Sequence, residues 1–161
     1  MIQLPNTLSL SHRQSLDLGS VTPASQAFVT AELASRIEQP LLLITPDTAS
    51  AYRLEQELHF FAAGLPVKLL PDWETLPYDT FSPHEDIISE RLRCLTEIRQ
   101  MTRGVVVVPI TSLMQRIAPP EYLGSHSLSL KRGQAVDLNA FRLELENGGY
   151  NNVTTVFPLA A

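Results

Sequence analysis

Between Ala24 and Ile117 the chain alternates stretches of helical period with short apolar runs, and this alternation constrains the fold more than any other feature. Apolar runs separated by amphipathic helices are the pattern of a parallel sheet built from βαβ units. Ala27, Phe28, Ala31, Ala34 and Ile37 recur near helical spacing over Ala24 to Glu38, and Pro40 closes that helix. Leu41 to Thr45 (LLLIT) follows as a buried strand. Asp47 or Thr48 is placed to cap a second helix, with Ala51, Leu54, Leu58 and Phe61 on one face and Gly64 at its end. Val67 to Leu70 reads as a short strand and Glu85 to about Met101 as a long helix with Ile87, Ile88, Leu92, Leu95 and Ile98 turned inward. Gly104 to Val108 is an apolar strand of the kind buried on both faces, followed by a short helix from Ile110 to Ile117.

One segment breaks this rhythm. Pro71 to His84 (PDWETLPYDTFSPH) holds three prolines and three aromatic residues with neither helical nor strand period. It is expected to be an ordered loop, because Trp73, Tyr78 and Phe81 need apolar surroundings. Pro119-Pro120 marks a boundary between a domain at 1–118 and a second at 119–161. In the second, His126 to Leu130 alternates like a strand, Lys131-Arg132-Gly133 turns, Asp137 caps a helix to about Glu146, and Val153 to Phe157 begins another strand. These 40 or so residues make a unit smaller than an independent core usually needs, so the second domain is read as a truncated one.

Composition removes several functional classes. The apolar stretches Leu41 to Ile44 and Val105 to Val108 are four residues long, far short of the roughly 20 that span a bilayer. The N-terminus shows no basic-then-apolar leader, and Cys94 has no cysteine partner in the chain, which together suggest a reducing cytoplasm. With 12 Lys+Arg against 17 Asp+Glu the net charge is -5, the wrong sign for a domain that neutralises nucleic-acid phosphates.

Three groups of residues invite a chemical reading. The segment Gly19 to Ala27 lies where a nucleotide-binding βαβ fold carries its phosphate loop. Here Gly19 and Thr22 remain, but Pro23 removes a backbone donor, Gln26 stands at the lysine position and Ala27 at the magnesium-binding hydroxyl position. No nucleotide is expected there. Asp72, Glu74, Asp79, His84, Glu85, Asp86 and Glu90 form an acidic run with one histidine, a composition that suits either a divalent cation and a small metal-dependent hydrolase or helix capping and solvation; capping is the reading preferred here, with no metal and no catalytic residue assigned. Arg91, Arg93, Arg99 and Arg103 decorate the long helix and read as a solvated face partnered by Glu90 and Glu97.

The string Asp72 to Leu92 (DWETLPYDTFSPHEDIISERL) resembles a hallmark motif of the bacterial transcription-repair coupling factor (Mfd) family, as do Gly104 to Leu123, the later KRGQ and GGYNNV. The motif positions are Asp72, Trp73, Glu74, Pro77, Tyr78, Asp79, Ser82, Pro83, His84 and Arg91. The resemblance runs from about Leu18 to Val156. It implies a RecA-like domain 1A with a degenerate nucleotide loop, then the start of a domain 2 of the type that binds UvrA. It further implies a role in transcription-coupled nucleotide excision repair, in recruiting UvrA and in holding a longer protein at rest. That longer protein is an ATP- and magnesium-dependent DNA translocase whose contacts with RNA polymerase and DNA lie in other regions. The family's Arg-Gly-containing strand, which carries the UvrA contact, is not reached before Ala161, which puts direct UvrA binding by this stretch in question.

Overall fold

The computed structural model describes residues 15, 17–19, 21–75, 80, 82–125, 130, 132–147 and 150. The chain divides into two compact units, Met1–Ala118 and Pro119–Ala161.

In the first unit the helices α1 (Pro23–Arg36), α2 (Thr48–Phe61), α3 (Glu85–Gln100) and α4 (Ile110–Leu113) accompany the strands β1 (Pro40–Thr45), β2 (Val67–Leu69) and β3 (Gly104–Pro109). The strands form one parallel sheet in the order β1-β3-β2. The parallel α/β architecture expected from the alternation is therefore present. Leu42 pairs with Val106 and Ile44 with Val108, while Val67 and Leu69 pair with Val105 and Val107. β3 is central and buried along its whole length, which is why its residues run VVVV instead of alternating.

Side-chain alternation divides the core. On one face Val105 and Val107 pack with Ala27, Ala31 and Ala34 of α1 and Ala51, Leu54 and Leu58 of α2. The small residues of α1 let that helix lie close to its neighbours. On the other face Val106 and Val108 pack with Leu70 and with Cys94, Leu95, Ile98 and Met101 of the α3 region. α3 covers β2 and β3 on this side, and the β1 residues on the same face, Leu42 and Ile44, stay 53% and 48% exposed.

Four inward-facing assignments need correction. Phe28, Ile37, Phe61 and Leu92 are exposed. Phe28 packs edge-on to Phe61 at 5.8 Å and Phe61 to Phe60 at 5.1 Å, so these rings cover one another at the rim. On α3 the buried side chains are Arg91 and Cys94. The face that packs is turned about one residue from the one the apolar spacing suggests, because the polar contacts of Arg91 also demand burial.

Gly104 has φ +119, and a Cβ there would stand 2.3 Å from the Pro66 carbonyl oxygen. That carbonyl accepts the first hydrogen bond of β3, from Val105 N at 2.9 Å. The glycine lets the strand begin against the preceding loop.

The second unit contains α5 (Pro120–Ser125), which the sequence pattern did not signal, and α6 (Leu138–Asn147). Asp137 caps α6 as expected: its Oδ1 accepts from Asn139 N at 2.9 Å and Ala140 N at 3.4 Å. A turn at Arg132-Gly133 places Gly133 at φ +86. The anticipated strand at Val153 to Phe157 and most of that at His126 to Leu130 lie outside the described residues.

Candidate functional site

In a parallel α/β sheet the loops leaving the carboxyl ends of the strands gather at one edge, and sites are built there. Thr48 follows β1, Asp72 follows β2, and Thr111 and Ser112 follow β3. These four residues converge. Asp72 Oδ2 accepts from Thr111 Oγ1 at 2.6 Å and from Thr48 Oγ1 at 3.4 Å. Asp72 Oδ1 accepts from Trp73 N at 2.8 Å and from Ser112 Oγ at 3.4 Å. One carboxylate thereby ties together the exits of all three strands. The acceptor requirement explains a carboxylate here, since two oxygens with several lone pairs serve donors from four directions.

Arg91 reaches the same place from α3. It is 2% exposed, correcting its assignment to a solvated face. Its guanidinium Nη1 donates to the carbonyl oxygen of Pro71, and Ser112 Oγ donates to the same oxygen at 3.2 Å. The guanidinium lies over the Trp73 ring, 4.4 Å from its centroid. Burial lowers the guanidinium pKa, opposed by the negative charge of Asp72. A fixed planar fork with a π-face beneath it is a geometry that arginine supplies and lysine does not. Asp72, Trp73 and Arg91, three positions of the quoted motif, thus form one unit with Thr48, Thr111 and Ser112. Those last three were not singled out beforehand as partners; the available signal was their position just past a strand end.

The other motif positions separate from this cluster. Glu74 is exposed and takes φ +59. His84 caps α3, its Nδ1 accepting from Asp86 N at 3.3 Å, with Asp86 Oδ2 3.2 Å from the same nitrogen. Ser82 is exposed and Pro83 half-buried, leading into that cap. Pro77, Tyr78 and Asp79, with Phe81, lie outside the described residues. Among the described residues no three His, Cys, Asp or Glu side chains are placed to hold a metal ion. Arg93 pairs with Glu90 at 3.7 Å, while Glu97 is ion-paired chiefly with Lys68 of β2, with the charge of Arg93 also acting on it.

At the phosphate-loop position Thr22 is the N-cap of α1 and supplies no side-chain cap, Pro23 opens the helix, and Ala27 is fully buried. Gln26 Oε1 accepts from Arg53 Nη2 at 3.2 Å, and Arg53 Nη1 donates to the Pro23 carbonyl at 3.1 Å. Arg53 is in turn paired with Glu57 at 3.0 Å. Arg53 thus engages two of these loop positions, Pro23 and Gln26.

The fold and this cluster define a class: a parallel α/β unit whose strand-end loops are clamped by a buried arginine and a multiply bonded aspartate. No protein-family model matches the chain. It is similar to the transcription-repair-coupling factor of Escherichia coli (strain K12), 46% identical over 139 residues, 86% of this chain and 12% of that relative. The transcription-repair-coupling factor of Haemophilus influenzae is 42% identical over the same share of each chain, and that of Staphylococcus aureus (strain USA300) 31% identical over 84% of this chain and 12% of the relative. The chain belongs, over this stretch, to the transcription-repair-coupling factor family, and it spans about 12% of the length of the curated relatives it matches.

Proposed function

We propose that this chain is a non-catalytic N-terminal module of a transcription-repair coupling factor, serving nucleotide excision repair at stalled RNA polymerase by recruiting UvrA and by helping hold the full-length DNA translocase at rest. The observation that carries the reading is the 46% identity over 86% of the chain to a protein of that name. In this reading residues 1–118 are the RecA-like domain 1A and residues 119–161 the beginning of domain 2. The Gly19, Thr22, Pro23, Gln26 and Ala27 segment is a degenerate nucleotide loop, and the chain takes no cofactor of its own; ATP and magnesium belong to the translocase domains, and polymerase and DNA contacts to other regions. No helix among the described residues is long and apolar enough to cross a membrane.

The test is a pull-down with UvrA using this chain beside a version extended through complete domain 2. Retention of UvrA by the extended form supports the reading, and failure of both forms to retain it overturns the recruitment role. Isothermal titration with ATP and magnesium is the second arm: saturable binding that is lost on Asp72→Asn would overturn the non-catalytic assignment.

A further inference from the structure

Between α1, the second half of β1 and the start of α2 lies a cleft of about 380 Å³. It opens at the carboxyl end of β1, the edge at which parallel α/β folds place ligands, and its size falls within the roughly 300–1,000 Å³ of small-molecule sites. Its walls are apolar: Val29 and Leu33 from α1, Leu43 from β1, Leu54 from α2. Gln26, Thr30 and Arg53 bring polar groups into this lining.

Thr30 is the informative residue. It is 7% exposed, yet its hydroxyl makes no hydrogen bond with any described residue. A helical threonine ordinarily turns that hydroxyl back onto the carbonyl four residues earlier, as Thr96 does to Leu92 at 2.9 Å. The buried side-chain polar atom without a partner among the described residues is Gln115 Oε1, not the Thr30 hydroxyl, so the Thr30 oxygen opens onto the cleft, where it can donate to or accept from what fills it. Gln26 stands four residues before Thr30, on the same helical face. Its Oε1 is taken by Arg53, which orients the amide and leaves the two Nε2 hydrogens to donate. The positive charge of Arg53 is met by Glu57. The polar end of the cleft therefore offers hydrogen-bond donors without a net charge to attract an anion.

We propose that this cleft binds a small uncharged molecule with an aromatic or branched apolar body and one carbonyl or ring-nitrogen acceptor, the body lying between α1 and β1 and the acceptor receiving hydrogen bonds from Gln26 and Thr30. Nothing in the transcription-repair reading requires it, and it stands or falls separately.

The test is a two-dimensional amide NMR titration of the 161-residue chain with benzamide, with benzoate and ethylbenzene as the charged and acceptor-free controls. Benzamide is expected to give saturable shifts at the start of α1, the end of β1 and the start of α2, and to bind at least about threefold more tightly than either control, the worth of a single net hydrogen bond. Thr30→Val, close in shape, should weaken benzamide roughly three- to tenfold and leave ethylbenzene unchanged. Gln26→Leu provides the same comparison at the other donor, should the valine variant lose its dispersed spectrum. Absence of saturable shifts in these segments, benzoate binding as tightly as benzamide, or undiminished benzamide affinity in both folded variants would overturn the proposal.

Discussion

Gly104 joins two demands that no other residue meets together: a backbone at φ +119 and a Cβ-free approach to the Pro66 carbonyl. Gly104→Ala is expected to cost about 2–4 kcal/mol, the sum of a strained conformation of roughly 1–3 kcal/mol and displacement of the carbonyl that accepts from Val105. Urea denaturation of the variant checks this; wild-type stability would show that the β2–α3 side yields freely. Cys94 supplies a second single-residue prediction. Its thiol lies buried, with Sγ 3.1 Å from the Leu69 carbonyl oxygen, and burial pushes its pKa up to about 11. The unfolded thiol ionises near 9, so between the two values the unfolded state has lost a proton that the folded state keeps. Stability should therefore be full below about pH 9 and fall as pH rises toward 11, by about 2 kcal/mol over the window. Cys94→Ser or Cys94→Ala should flatten that limb of the pH-stability curve. Alkylation of the native chain at pH 7.5 should follow unfolding instead of direct reaction, because the thiolate is the nucleophile.

At the scale of elements, α1, α2, α3, α6 and the three strands were readable because each carries its own period and its own punctuation, whereas α5 was not signalled and α4 ends at Leu113, short of the expected Ile117. Asp47 accepts from Ser50 N at 2.7 Å and Asp137 from Asn139 N, and both are the local signals from which a helix start is read. What the period does not carry is the direction in which a face must point. Phe61 and Leu92 fit their apolar stripes, yet whether a stripe is covered depends on elements distant in sequence. Arg91 shows the limit most sharply: a charged residue among Glu90 and Arg93 reads as surface, and only the return of Pro71 to Trp73, some twenty residues earlier, buries it. The same distance hid the cluster at the strand ends, where Asp72 meets Thr111 across 39 positions. This clamp makes its own prediction. Trp73 is the only tryptophan, so its emission reports the clamp directly. Arg91→Met should leave the Pro71 carbonyl without its charged donor, lower stability by roughly 2–3 kcal/mol, and alter the Trp73 spectrum before global unfolding. Arg91→Lys should recover only part of the loss, since lysine keeps the charge but not the fork. Equal stability of all three proteins, followed by Trp73 fluorescence in denaturant, would refute a clamping role.

For the molecule as a whole, charge and apolar surface act against each other. The chain carries a formal charge of -5 at pH 7 and a pI near 5.3, so repulsion between copies vanishes as the pH is lowered toward 5.3. Meanwhile Leu42 and Ile44 remain half exposed on the α3 side of the sheet, and Phe60 is 79% exposed beside Phe61. Apolar groups so placed attract one another once charge no longer keeps copies apart. Light scattering is therefore expected to rise steeply between pH 7.5 and pH 5.3. Added salt at pH 7.5, which screens the same repulsion over about 10 Å at 0.1 M, should shift the chain in the same direction. Leu42→Ser with Ile44→Ser should suppress the rise while leaving the pI unchanged, because the pair removes attraction and no charge. Phe60→Ser, made alone, separates the two patches: if it suppresses scattering and the sheet pair does not, the aromatic rim is the adhesive surface. A chain that remains a single species by sedimentation at pH 5.3 would show that neither patch associates and that the apolar faces are too small to hold two copies together.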